Sequence, residues 1–314
     1  MRKILLFGMV ILTGVSFIAR LFYLQIYESA DYDLNNDNAI RKVFHYPKRG
    51  YIYDRNDSLL VANQPSYDVM VIPREVEPLD TLMFCDLLKI DRLKFLKYYK
   101  RAKRYSPRLP SVFLPHLSKE DYAFLSENLR KFKGFYIQKR SVRDYQTSIG
   151  ANVLGYIAEA NAKDIKKDSY YKLGDLIGKQ GVEISYEKTL RGIKGVKYIQ
   201  KDIYNRDIGA YKDGAFDTLP VPGKDLKITI DSELQAYGEL LMQNKIGGIV
   251  AIEPSSGEIL SLVSAPSYNP NLLVGRERSK NYTTLYLDSI HRPLIDKGLV
   301  RMHEPGSPFK VLVA

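Results

Sequence analysis

The sequence predicts an α+β protein in two parts behind an apolar N-terminal helix, and three observations predict it. An uncharged run opens the chain, strand-like and helix-like segments then alternate as far as a Pro/Gly linker near residue 222, and a strand, a helix and a hairpin follow that linker. At 314 residues and 45% hydrophobic, the chain can bury about two cores. That composition excludes a disordered protein.

Taken in order, Arg2 and Lys3 precede sixteen uncharged residues, Ile4 to Ala19, followed by Arg20 and the largely apolar Leu21-Phe22-Tyr23-Leu24-Gln25-Ile26. Sixteen helical residues rise about 24 Å, and residues 21–26 complete a hydrocarbon core of about 30 Å while Arg20 snorkels. Residues 1–26 are therefore expected to be a cytoplasmic tail and transmembrane anchor. No small-x-small cleavage site lies near the run, because Glu28 sits where a small residue would be needed before Ala30. The positive-inside rule then places the bulk of the chain across the membrane, as a single-pass protein of the bacterial inner (cytoplasmic) membrane facing the periplasm.

Beyond the anchor, Ser58 to Ala62 and Tyr67 to Ile72 read as strands around a turn at Asn63-Gln64-Pro65. Arg49, Asp54 and Arg55 are expected to form one structural ion-pair cluster. Asp80 to Ile90 and Asp91 to Arg104 read as helices, each opened by a capping Asp. Ser118 and Asp121 make a capping box before the apolar face Tyr122, Leu125, Leu129, Phe132. Arg143 to Ile157 is a loop entering a short apolar segment, and Gly178 leads through Tyr186 into a helix ending at Leu190-Arg191-Gly192. Lys197 to Asp202 and Arg206 to Tyr211 read as a strand pair around Asn205. The linker with Pro220, Pro222 and Gly223 divides the remainder into domains 27–222 and 223–314. After it, Asp225 to Ile230 is a strand, and Asp231 caps an amphipathic helix carrying Leu234, Tyr237, Leu240 and Leu241. Gly248 to Ile252 and Glu258 to Ser264 form a hairpin around Glu253-Pro254-Ser255-Ser256-Gly257. A long polar loop, Ala265 to Arg292, leads to the last segment.

The net charge is +11, and residues 91–108 hold eight Lys/Arg against one acid. Placement outside the cytosol excludes nucleic acid as the partner. The basic segment is then a solvated helix face or a contact for anionic lipid or another envelope component. A single cysteine, Cys85, excludes an intrachain disulfide, and its neighbours Leu82, Met83, Phe84, Leu87 and Leu88 place it in a core. His45, His116, His291 and His303 lack the spacing of a metal site, and no Gly-rich phosphate loop occurs, so no metal or cofactor is expected.

The closing stretch His303-Glu304-Pro305-Gly306-Ser307-Pro308-Phe309-Lys310 sets Ser307 and Lys310 three positions apart, on one helix face. Pro305-Gly306 breaks the preceding element and starts a helix, so the hydroxyl falls in the first turn, where backbone N–H groups favour negative charge. Lys310, one turn along, serves as general base when neutral, which requires burial or nearby positive charge to lower its pKa from about 10.4. Two further S-x-x-K pairs, Ser169 with Lys172 and Ser185 with Lys188, lack a breaker and are read as coincidences.

Together these segments resemble the class B penicillin-binding proteins, most closely their elongation-type group. Arg49-Gly50 with Asp54-Arg55-Asn56 is similar to the family's first signature, Arg143 and Tyr145 to a second, and Gly178, Gly181 and Glu183 to a third. Leu226-Lys227-Ile228-Thr229-Ile230-Asp231 with Gln235, and Ala251 to Pro270, resemble the start of the transpeptidase domain, and Pro305 to Lys310 its nucleophile box. Asp57 stands where glycine is usual, Gln146 where proline is, Asn152 where histidine is frequent, Glu304 where proline is common and Pro308 where a small hydroxyl residue is frequent.

The resemblance implies an elongated α+β pedestal over 27–222 and the first part of a serine β-lactamase-like transpeptidase domain over 223–314. It implies a D,D-transpeptidase in which Ser307 is the nucleophile and Lys310 the general base. Its substrates would be peptidoglycan stem peptides ending in D-Ala-D-Ala, β-lactams would acylate the same serine, and the role would lie in wall synthesis and cell shape. Implied partners are a membrane glycan polymerase and shape-determining scaffold proteins. The family's S-x-N and K-T-G boxes follow the nucleophile, and the chain ends four residues past Lys310 without a K-T-G or K-S-G. The chain as given is therefore expected to be inactive and part of a longer protein. The competing readings are a non-catalytic, membrane-anchored scaffold module and a β-lactamase or antibiotic sensor.

Overall fold

The structure, a computed structural model, describes residues 2–23, 40–172, 174–202, 207–300, 302, 306–307 and 310. Two compact units emerge, Met1–His45 with Gly195–Leu219, and Tyr46–Lys194 with Pro220–Ala314. In chain order the elements begin with α1 (Arg2–Phe22), β1 (Ile40–His45), β2 (Ile52–Tyr53), β3 (Leu59–Val71), α2 (Thr81–Leu88), α3 (Arg92–Tyr105), β4 (Ser111–Leu117) and α4 (Lys119–Asn128). They continue with β5 (Phe135–Tyr145), α5 (Ala151–Leu154), β6 (Ile157–Glu159), α6 (Ala162–Lys167), β7 (Leu176–Gly178), α7 (Gly181–Ser185) and α8 (Glu187–Leu190). The last are β8 (Gly195–Lys201), β9 (Asp207–Ala210), β10 (Leu226–Lys227), α9 (Ser232–Leu241), β11 (Gly247–Ile252), β12 (Ile259–Ala265) and α10 (Arg278–Leu287).

In the first unit α1 is a 21-residue helix. Among the described residues no helix is long and apolar enough to cross a membrane, and residues 24–26 of the expected span lie outside the description. β1 pairs antiparallel with β8 from Ile40 opposite Gln200 to His45 opposite Gly195, and β8 pairs with β9. The strand pair expected around Asn205 is thus present as β8 and β9, with 203–206 outside the described residues.

The second unit is built on the five-stranded sheet β10-β2-β3-β4, with β5 antiparallel along β3 from Val61 opposite Tyr145 to Val71 opposite Phe135. β3 is one 13-residue strand instead of two strands around a turn at Asn63-Gln64-Pro65. The proline is tolerated because pairing with β2 ends at Val61 and pairing with β4 starts at Tyr67, so between them β3 has β5 on one side only. Helices α2, α3 and α4 start as the sequence suggests: Asp80 accepts from the N–H groups of Leu82 and Met83, Asp91 from Lys94, and Ser118 from Asp121. Their apolar faces close a core in which the Phe84 ring centroid lies 4.5 Å from Phe135, 4.6 Å from Phe132 and 5.9 Å from Phe95. Cys85 is buried there as expected.

Two further expectations change. The strand over Asp225 to Ile230 shrinks to β10, parallel to β2, and the long polar loop from Ala265 holds α10. α10 was hidden because none of its residues is buried, so no apolar period marks it.

Candidate active site

Ser307 lies in a short turn of 3-10 helix and Lys310 in helical backbone, and both side chains are exposed, so the burial expected of Lys310 as a base is not found among the described residues. Gly306 before them has φ +65°, the left-handed conformation that glycine adopts at little cost. His303, Glu304, Pro305, Pro308 and Phe309 lie outside the described residues.

The chain leading toward this turn is clamped to β12. Ser264 Oγ donates to the Ile295 carbonyl at 3.2 Å and accepts from the Lys297 N–H at 3.0 Å. Lys297 is buried to 2% exposure, and its Nζ donates to the carbonyls of Arg292 and Pro266 at 3.2 and 3.3 Å. Sequence reasoning passed over Lys297, because a lysine in a polar stretch carries no sign of burial. On the other side of β12, Gln235 of α9 donates from Nε2 to the Leu262 carbonyl at 3.0 Å and accepts at Oε1 from the Leu262 N–H at 2.8 Å. One side-chain amide thereby fixes the helix to the strand edge. The apolar face expected to pack from α9 stands open: Leu234, Tyr237, Leu240 and Leu241 are exposed, while Gln235 and Gly238 are the buried residues of α9.

Arg49, Asp54 and Arg55 do not form one cluster. Arg55 reaches Glu258 at 3.5 Å. Asp54, fully buried, accepts from Ser232 Oγ at 2.6 Å and from the N–H groups of Ser58 and Asn56 at 2.7 and 2.8 Å. Burial opposes its ionisation, yet these donors hold the carboxyl below its usual range.

Arg49 instead joins a buried knot. Its Nη2 lies 2.5 Å from Glu183 Oε2 and 2.6 Å from Glu187 Oε2, and its Nη1 donates to Glu187 Oε1 at 3.0 Å. Arg143, fully buried, donates from Nε to Glu183 Oε1 at 2.5 Å and from Nη1 to the Gly50 carbonyl at 2.7 Å. Tyr171 Oη donates to Glu187 Oε1 at 2.7 Å and accepts from Arg191 at 2.8 Å. Burial would raise the Glu187 pKa, but the Arg49 guanidinium, Tyr171 and the Gly178 N–H pull it below the usual range. Gly50 permits the crossing beneath: a Cβ there would stand 1.8 Å from the Lys224 carbonyl oxygen.

The knot and the clamped strand pair are joined in one body. Asn271 grips the Tyr145 backbone, accepting from its N–H at 3.1 Å and donating to its carbonyl at 2.8 Å. Glu239 of α9 accepts from the Gly150 N–H at 2.7 Å. Asn56, followed by Asp57 at φ +64°, reaches Asp231 at 3.3 Å. The left-handed backbone at Asp57 gives the physical reason why glycine suits that place.

A cavity of about 50 Å³ opens beside the knot, lined by Tyr46, Arg140, Tyr170, Asp175, Arg191 and Lys194, away from the residues of 306–310. Its cations are committed, Arg140 to Asp68 at 2.7 Å, Arg191 to Asp168 at 2.8 Å and Lys194 to Asp175. It is a structural feature. Among the described residues no group of His, Cys, Asp and Glu could hold a metal.

Comparison with known proteins bears on both parts. Residues 44–228 match the model of the penicillin-binding protein dimerisation domain, and residues 247–314 match that of the penicillin-binding protein transpeptidase domain. The chain belongs to the penicillin-binding protein family. Among this family, the peptidoglycan D,D-transpeptidase MrdA of Acinetobacter baumannii is 35% identical over 98% of this chain and 46% of its own length. MrdA of Escherichia coli K12 is 33% identical over 98% of this chain and 49% of its own length. The penicillin-binding protein PBP2 of Helicobacter pylori, solved in complex with MreC, superposes with a TM-score of 0.66 at 25% identity, covering 82% of this chain and 48% of that one. The penicillin-binding protein described here is thus similar to MrdA and to PBP2, and it spans about half the length of the curated relatives it matches.

Proposed function

We propose that this protein is a serine-type peptidoglycan D,D-transpeptidase of the PBP2 kind, anchored in the inner membrane by residues 1–26 with its bulk in the periplasm. Residues 27–222 form its pedestal and 223–314 the beginning of its catalytic domain. The observation that carries the reading is the match of residues 247–314 to the transpeptidase model, the segment in which Ser307 and Lys310 stand three positions apart in sequence.

In this reading Ser307 Oγ attacks the carbonyl of the penultimate D-Ala of a stem peptide while Lys310 takes its proton. The amide C–N bond breaks, the proton passes to the departing D-Ala amine, and an acyl-serine remains. The amine of a neighbouring stem peptide then attacks the ester, forming the cross-link and returning the proton to Ser307. A β-lactam occupies the serine because its strained amide is an equivalent acyl donor whose leaving group cannot diffuse away. The MreC complex of the Helicobacter pylori neighbour supports a shape-determining scaffold partner for the pedestal, and a membrane glycan polymerase would supply the strands.

Fluorescent penicillin tests the reading. The full-length product labels with penicillin, Ser307→Ala abolishes the label, and Lys310→Ala slows it by at least about a hundredfold, the usual contribution of a positioned base. Labelling that persists in Ser307→Ala overturns the nucleophile assignment, and a full-length protein that never labels favours the scaffold reading.

A further inference from the structure

One strongly charged surface has no part in the chemistry above. Helix α3 packs on the aromatic core through Phe95 and Ala102, with Tyr98 and Tyr99 half-buried beside them. At 100° per residue, the face opposite is Leu93, Lys97, Lys100 and Arg104, flanked by Leu96 and Lys103. Leu93 is 79% exposed and Leu96 42%, and beyond the helix end Leu109 is exposed at 54%. The acid of this segment, Asp91, is committed to capping the helix through the Lys94 N–H. Arg101 is also committed, to the carbonyls of Val112 and Phe113 and to the ring of Tyr98. Among the described residues Lys97, Lys100, Lys103 and Arg104 form no ion pair.

We propose that this face of α3 docks on an anionic phospholipid surface. Charge alone would suit any polyanion, but an acidic protein or glycan drawn by the cations leaves unexplained a leucine standing at the centre of the cationic face. A bilayer interface answers both features: phosphates meet the lysine and arginine heads, while their aliphatic stems, Leu93 and Leu96 enter the boundary with the acyl chains. A helix that was only a solvated face would carry polar residues at those two leucine positions. The inference is independent of the transpeptidase reading.

The test uses the whole chain with Leu96→Cys carrying the environment-sensitive fluorophore NBD, Cys85 being buried and shielded from label. It is reconstituted into vesicles of pure phosphatidylcholine or of equal parts phosphatidylcholine and phosphatidylglycerol. The expected result is a blue shift and brighter emission in the anionic vesicles only, reversed by high salt. Lys97→Gln, Lys100→Gln and Arg104→Gln together should shift the docking equilibrium on the order of a hundredfold toward release, with an unchanged melting curve certifying the fold. Equal emission in both vesicles, or emission indifferent to the triple substitution, overturns the proposal. The same blue shift with soluble polyglutamate and no vesicles also overturns it, in favour of an acidic protein partner.

Discussion

The two ends of the β3–β5 ribbon are held by opposite physics. At one end Val69, Val71 and Phe135 join Phe84, Phe95, Phe113 and Phe132 in an apolar core. Near the other, Arg143 of β5 is buried together with Arg49, Glu183 and Glu187. Dispersion and burial of area are non-directional, so the aromatic end can absorb a change of shape by repacking. Buried charges cannot: each guanidinium needs its carboxylate at one distance and angle, and removing a partner strands the other in a low dielectric. The difference teaches that the apolar end supplies stability and the polar end supplies a unique meeting point for three distant chain segments.

Equally conservative substitutions at the two ends sharpen this contrast most. Glu183→Gln keeps volume but leaves Arg49 and Arg143 without their shared charge, and should cost about 3–5 kcal/mol of unfolding free energy. A loss under about 1 kcal/mol in denaturant melts would refute the comparison. Acid should act in the same sense. Because the Glu187 pKa is lowered on folding, its contribution is present above the ordinary glutamate range and is lost as pH falls through the folded value. Stability measured against pH should therefore fall on acidification, less steeply in Glu187→Gln, whereas an apolar-core variant should keep the parental slope. Phe84→Leu, which the aromatic core can repack around, should cost no more than about 1.5 kcal/mol. The smallest effect is expected at Asp57, where φ is +64°. Asp57→Gly relieves left-handed backbone and gives up only an exposed ion pair with Lys227, for a net gain of about 0.5 kcal/mol in thermal melts. A loss there would mean that the Lys227 pair or unfolded-state entropy dominates.

Local features were readable residue by residue. Asp80, Asp91, Ser118 and Asp231 cap the helices they were expected to cap, and β11 and β12 form the expected hairpin. These follow from hydrogen-bonding capacity and apolar period over a few neighbours, which the linear chain displays directly. Pro65 misled because a proline reads as a break unless the neighbouring strand on that side is known to be missing. α10 was invisible because none of its residues is buried, and Lys297 because burial of a polar side chain depends on what folds over it.

The Ser307–Lys310 spacing and the three segments that resemble family signatures are therefore properties of the sequence: residue type and spacing state them without any fold. Only the tertiary structure decided that Arg49, Arg143 and Glu183, the last two 40 residues apart and the first and last 134 apart, share one buried site. Only it showed that Asp54 serves a helix start at Ser232 instead of that site. Coulomb attraction between two residues does not depend on their separation along the chain but on their distance through a medium whose dielectric is set by burial. Neither quantity exists until the chain has folded.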